Sequence, residues 1–155
     1  ITLGQRHILF EMGETELICR RLEGDFLDYK NAIPRRNPIS VTVDTKAMLE
    51  SLDRVSVVIS EKLKSPVRCQ FGEDKVTMSA KTANGDAKDV CRIAGDGQGL
   101  EIGFNNRYLM DALRYAPADT VRMELNTGIS PAIIVPVEGE ENFLYMVLPV
   151  RLKAN

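Results

Sequence analysis

The sequence predicts an α+β fold in which a strand, a helix and three strands occur twice in succession, with two helices packed on one side of antiparallel sheets. Two helix-period apolar stripes lead to this reading: Met48, Leu49, Leu52, Val55 and Ile59 in one, and Tyr108, Leu109, Ala112 and Leu113 in the other. Each stripe follows an alternating run and a polar capping residue, and each precedes three short alternating runs separated by turn residues. Neither unit is large enough to bury its own helix face. The two are therefore expected to pack side by side with pseudo-two-fold symmetry, both helices on one face.

Residues 5–22 alternate about a turn at Met12-Gly13-Glu14, with Ile8, Phe10 and Met12 on one face and Leu17 and Cys19 on one face of the returning run, which predicts a hairpin. From Glu23 to Pro38 the texture changes to glycine, acidic turns and Pro34-Arg35-Arg36-Asn37-Pro38. This segment is read as a linker, dividing the chain into domains 1–37 and 38–155. Residues 39–43 then form a strand that stops at Asp44, whose carboxylate caps a helix beginning at Thr45; the polar face of that helix holds Lys46, Glu50, Asp53 and Arg54. Strands are expected at residues 67–71, 75–80 and 89–94, with turns at Gly72-Glu73-Asp74 and Asn84-Gly85-Asp86. The second unit places a strand at residues 100–104, a cap at Asn105-Asn106, a helix ended by Pro117, and strands at 120–125, 132–137 and 143–150.

A chain of 155 residues with 44% hydrophobic content supports one ordinary core. With 27% charged residues and a net charge of -2, its overall balance demands no nucleic-acid, membrane or acidic partner, although a local basic patch is compatible with it. Cys19, Cys69 and Cys91 are odd in number and far apart, fitting neither a disulfide framework nor a zinc site; they read as reduced thiols of a cytoplasmic protein. No apolar run approaches the roughly 18–20 residues that cross a bilayer. The start, without methionine or a signal-like core, is expected to belong to a fragment or processed piece of something longer.

Residues of catalytic type occur without a catalytic constellation around them. The single histidine, His7, lies in a strand pattern beside Arg6, away from any serine or cysteine nucleophile motif. The acidic groups Glu14/Glu16, Asp25/Asp28 and Glu138/Glu140/Glu141 sit in turns, where carboxylates serve solubility and local hydrogen bonding. Gly95-Asp-Gly-Gln-Gly99 precedes a strand and lacks the Gly-Lys-Ser/Thr of a phosphate loop. These residues point to a binding module without cofactor or metal rather than an enzyme. A small metal-independent enzyme ranks behind a generic α+β interaction domain.

Two segments stand out. Leu22-Glu-Gly-Asp-Phe-Leu-Asp-Tyr-Lys-Asn-Ala-Ile-Pro34 puts Phe26, Leu27, Tyr29 and Ile33 in a turn region, either as a loop packed on its own aromatics or as a contact surface. Tyr145-Met-Val-Leu-Pro-Val-Arg-Leu152 ends the chain with large flexible apolar residues, as an edge strand closing the core or as the lining of a groove for a partner peptide.

The first segment resembles the signature that ends the middle domain of the bacterial DNA polymerase III beta subunit, the beta sliding clamp family, with Leu27 where the family commonly has proline. Leu100-Glu-Ile-Gly-Phe-Asn-Asn-Arg-Tyr-Leu-Met-Asp-Ala-Leu113 is similar to the family's third-domain run into its second helix, and residues 145–152 resemble its C-terminal end, with Lys153-Ala154-Asn155 added. The resemblance implies the DNA clamp fold, with the last strands of a middle domain and connector in 1–37 and a complete third domain in 38–155. It implies a non-catalytic processivity factor: a head-to-tail homodimeric ring around double-stranded DNA. Such a ring docks the polymerase III catalytic subunit, the clamp loader and repair polymerases through short clamp-binding motifs.

Carried over by these motifs, the implied partner-peptide pocket comprises Leu27, Asn31, Ala32, Asn105, Tyr108, Ile129, Pro131, Met146, Val147, Leu148, Pro149, Val150, Arg151 and Leu152. Leu63 or Lys64 stands where the family often has a gating aromatic. Lys46, Arg54, Arg107 and Arg114 are implied for the DNA-facing helices, and Arg35 and Arg36 for the connector. The family's threonine-aspartate-glycine-histidine-arginine run, the other pocket wall, would lie upstream of Ile1. The fragment is therefore expected to hold half a pocket and not to encircle DNA alone.

Overall fold

The computed structural model describes residues 1–59, 65–138 and 143–152. The chain divides into two compact units, Ile1–Ala32 and Ile33–Asn155. In the first, β1 (Thr2–Leu3), β2 (His7–Met12) and β3 (Thr15–Arg20) form an antiparallel sheet in that order. Ile8 pairs with Cys19 and Phe10 with Leu17, so the expected apolar residues share a face, and Gly13 makes the turn at φ 63°. The two-residue β1 is too short for any periodic signal. Arg21 holds it in place by donating from Nη1 to the carbonyls of Gly4 and Gln5. The segment read as a linker contains one turn of helix, α1 (Tyr29–Ala32), next to an edge-to-face contact of Phe26 and Tyr29.

The second unit runs β4 (Ile39–Asp44), α2 (Thr45–Ser56), β5 (Val67–Phe71), β6 (Lys75–Thr82) and β7 (Gly85–Arg92). It continues with β8 (Glu101–Phe104), α3 (Asn106–Arg114), β9 (Thr120–Leu125), β10 (Ala132–Pro136), β11 (Tyr145–Val147) and β12 (Pro149–Val150). The strand–helix–three-strand order thus occurs twice. Asp44 caps α2 by accepting from the Ala47 N–H at 2.7 Å, and Asn105 caps α3 by accepting from Arg107 and Tyr108.

The two units pack with their helices in contact, and the strand pairing adds an exchange that alternation alone does not reveal. One sheet has the order β11-β10-β9-β4 and the other β12-β8-β5-β6-β7, so each half lends its leading strand to the other half's sheet. The exchange gives each three-stranded set a fourth partner for an otherwise open edge. A bridge between Thr42 and Ala94, with both backbone bonds at 2.8 Å, links the sheets on one side.

Alternation sets the core: Val41, Val43, Val67, Cys69, Phe71, Val76, Met78, Val121, Met123 and Leu125 all point inward. From the helices come Met48, Leu52 and Val55, and Leu109, Ala112 and Leu113, into one shared cluster. Two stripe residues depart from expectation. Tyr108 is 59% exposed, because it sits about 100° around the helix from Leu109 and in the first turn, and Ile59 lies beyond the end of α2.

Strand β7 begins at Gly85 rather than residue 89, and the hairpin loop is Ala83-Asn84, because Thr82 pairs with Gly85. Gly85, with φ 135°, takes the strained turn position while its neighbours stay in ordinary conformations. The glycine-rich segment is a packing turn. A Cβ on Gly97 would run into Phe71 Cβ, a clash that only glycine avoids.

Candidate functional site

The run 145–150, read as one strand, is two. Strand β11 pairs with β10, Val147 opposite Ala132, and β12 pairs with β8, Pro149 opposite Phe104, so the chain crosses from one sheet to the other at Leu148. Pro149 has no N–H to extend the first ladder, and this favours leaving it there. The crossing determines which candidate residues meet. Ala132 is preceded by Pro131 and Phe104 is followed by Asn105, so these two positions flank Leu148 from its two sheets. The cap made by Asn105 starts α3 beside β11 and leaves the Tyr108 ring in solvent.

Ile129 stands in the β9–β10 connection, 71% exposed, at the tip of a turn closed by the Thr127 and Ser130 hydroxyls at 2.7 Å. Leu148 is 61% exposed and Tyr108 59%, so large apolar side chains reach solvent on the crossing and on both of the connections that flank it. Met146 and Val150 are half-buried, Arg151 is exposed, and Val147 is buried, supporting the site from the core. Leu152 packs over Gly103, where a Cβ would come within 2.6 Å of its Cδ2. Leu27, Asn31 and Ala32 belong to the first unit: Leu27 is 74% exposed, Ala32 ends α1, and Asn31 Nδ2 donates to Asp28 at 2.7 Å. Leu63 and Lys64 lie outside the described residues, as do Glu140 and Glu141.

The basic candidates sit on exposed positions, yet several have carboxylate partners. Arg54 Nε meets Asp89 at 2.6 Å, Arg114 meets Asp111 at 3.0 Å, and Arg107 approaches the same Asp111 at 4.0 Å. Helices α2 and α3 together carry four basic residues (Lys46, Arg54, Arg107, Arg114) against three acidic ones (Glu50, Asp53, Asp111), an excess of only one. Arg54 and Arg114 also occupy last turns, where a cation complements the helix dipole. Arg35 and Arg36 are exposed just ahead of β4.

One polar cluster had no signal in the sequence. Ser51, fully buried on α2, donates its hydroxyl to Asp89 at 2.7 Å, and Arg54 donates to the same oxygen, joining α2 to β7 across 38 residues of sequence. The Ser51 bond holds the Asp89 carboxyl below its usual range, helped by the Val90 N–H and Arg54 and opposed by burial. Burial pushes the Cys69 thiol up to about 12, which makes it an inert core residue. Cys91 is also raised, by burial first and then by Asp44 and Asp89. Among the described residues no group of three His, Cys, Asp or Glu is placed to hold a metal, and no helix is long and apolar enough to cross a membrane.

Comparison with known proteins places this geometry in a family context. Residues 30–151 match the family described as DNA polymerase III beta subunit, C-terminal domain. The chain is 33% identical over 160 residues to the beta sliding clamp of a Synechocystis species, covering 98% of this chain and 39% of that protein. It is 30% identical over 153 residues to the beta sliding clamp of Pseudomonas putida, covering 98% and 41%. Among solved structures, the DNA polymerase III subunit beta of Pseudomonas aeruginosa superposes with a TM-score of 0.87 at 29% identity, covering 97% of this chain and 41% of that one. The Caulobacter crescentus beta sliding clamp with polyethylene glycol bound in its putative beta-motif tethering region gives 0.87 at 26% identity, covering 97% and 40%. The chain therefore spans about two-fifths of the length of the curated relatives it matches.

Proposed function

The chain belongs to the DNA polymerase III beta subunit family, and on that premise we propose that it is part of a sliding clamp, a non-catalytic tether holding DNA polymerase and other replication partners on duplex DNA. Residues 1–37 would close a middle domain and connect it to a third domain formed by 38–155. The observation that supports the tethering role is the strand crossing at Leu148, which sets that exposed side chain between Pro131 and Asn105, with Ile129 and Tyr108, also exposed, two and three residues further along the two connections. Such a surface suits short extended peptides with apolar anchors, and flexible residues such as Met146 adapt to different sequences.

The DNA role is electrostatic and needs ring closure. A surplus of one positive charge over two helices gives little affinity for a polyphosphate on its own, whereas a closed ring retains DNA while positive side chains at a distance let it slide. Closure as a head-to-tail dimer requires a partner for β7. That strand is an outer edge of its sheet, and Val90 on it is 47% exposed. A cytoplasmic setting follows from the replication role.

The test is a titration of the chain with a fluorescent Gln-Leu-Asp-Leu-Phe peptide, repeated on Tyr108→Ala and Leu148→Ala. Both side chains are exposed, so the fold is expected to survive. Saturable binding weakened roughly tenfold or more by each substitution supports the reading. Equal binding by all three chains rejects this surface as the peptide site.

A further inference from the structure

The registers of the five-stranded sheet align one row of side chains across it. Val150 of β12 faces Gly103 of β8, Gly103 faces Arg68 of β5, Arg68 faces Ser79 of β6, and Ser79 faces Lys88 of β7. The row is on the outer face, since Cys69, Met78 and Ile102, adjacent along the strands, are fully buried. Ser79 is small, so the row dips between Arg68 and Lys88, and a concavity of about 980 Å³ opens beside it. Leu152 ends the trough at β12 by lying over Gly103.

The lining is positively biased. Arg68, Lys81, Lys88 and Arg151 stand against Asp86 and Glu101, an excess of two. Both carboxylates are engaged, Glu101 by Arg68 and Asp86 by Lys81, so the surplus comes from Lys88 at one end and Arg151 at the other. From Lys88 to Gly103, where Leu152 closes the trough, three steps at a strand spacing of about 4.8 Å cover about 14 Å, the length of about four extended residues.

We propose that this trough receives an acidic, extended segment that flanks the short apolar motif of a partner polypeptide. The proposal rests on the peptide-site reading above and deepens it, because residues 150–152 belong to both surfaces and lead from Leu148 directly into the trough. Two surplus charges at opposite ends match a short acidic peptide, whose charges are spaced along a chain of that length, better than a densely charged phosphate strand.

The experiment compares three labelled peptides on the chain: the bare motif, the motif flanked by four glutamates on either side, and the motif flanked by four glutamines. Each is titrated against the native chain, Lys88→Glu and Ser79→Leu, neither of which touches the peptide-site residues, with circular dichroism confirming the fold. The glutamate flank is expected to tighten binding to the native chain roughly threefold to tenfold. That gain should vanish in both variants and fade at about 0.5 M salt, while the bare motif binds all three chains alike. A gain that is matched by the glutamine flank, or that survives both substitutions, overturns the proposal. Binding of the bare motif with no effect of either flank also defeats it and leaves the peptide site intact. Absence of bare-motif binding fails the peptide-site reading, and the trough proposal falls with it.

Discussion

The two halves of the second unit follow one plan but finish it differently. In the first half, α2 is 12 residues long, and β6 and β7, eight residues each, are joined by a two-residue loop into a regular hairpin. In the second, α3 is nine residues, β9 and β10 have six and five, and the third strand breaks after three residues to cross into the other sheet. The regular half presents a long free edge. The irregular half presents Tyr108, Ile129 and Leu148 to solvent. Repetition builds the scaffold, and departures from it, at the β9–β10 connection and the Leu148 crossing, create the surface with chemical character.

The sharpest way to break this comparison is to damage equivalent core positions. Leu52→Ala on α2 and Leu113→Ala on α3, both fully buried, are each expected to cost about 2–5 kcal/mol. In urea each variant should lose the second unit in one transition, because the halves share a core; separate transitions would contradict the strand exchange. A smaller effect is expected at the crossing. Gly103→Val puts a side chain where Leu152 and the Val150 carbonyl already lie, costing about 1–3 kcal/mol and displacing β12, so peptide affinity should fall more than stability alone predicts. The smallest effect belongs to the regular half. Because the Asp89 carboxyl is held below its ordinary value of 3.8, its contribution is present above that pH and is lost as pH falls through the depressed value. Asp89→Asn should therefore cost about 1 kcal/mol near pH 7, with the difference from the native chain shrinking below about pH 4, as followed by urea unfolding across pH.

Much of the fold was legible because periodicity and caps agree locally. Asp44 and Asn105 start helices where the alternation stops, and the apolar spacing after them matches the buried faces. The exchange of β4 and β8 was not legible, since alternation tells which face a strand buries but not which neighbour it pairs with. The true start of β7 was hidden because Gly85-Asp-Ala-Lys88 alternates without large apolar residues. At the site, the apolar end of the chain was visible as residues out of place, whereas Tyr108 read as part of the buried helical stripe. Their convergence depends on the break at Leu148, and in sequence Pro149 was the only trace of it. The Ser51–Asp89 bond spans 38 residues between elements that no local pattern relates.

The exchange of leading strands also bears on how the chain is made. The ladder of β4 pairs with β9, and that of β5 with β8, so nothing emerging from a ribosome before residue 101 can complete either sheet. Until then β4 has no strand partner, and α2 and the β5–β7 strands can pack only on one another, with the side that α3 and β8 later cover left open. A nascent chain paused in that interval is the form most exposed to aggregation, and a chaperone would meet its greatest need just before Glu101–Phe104 is translated.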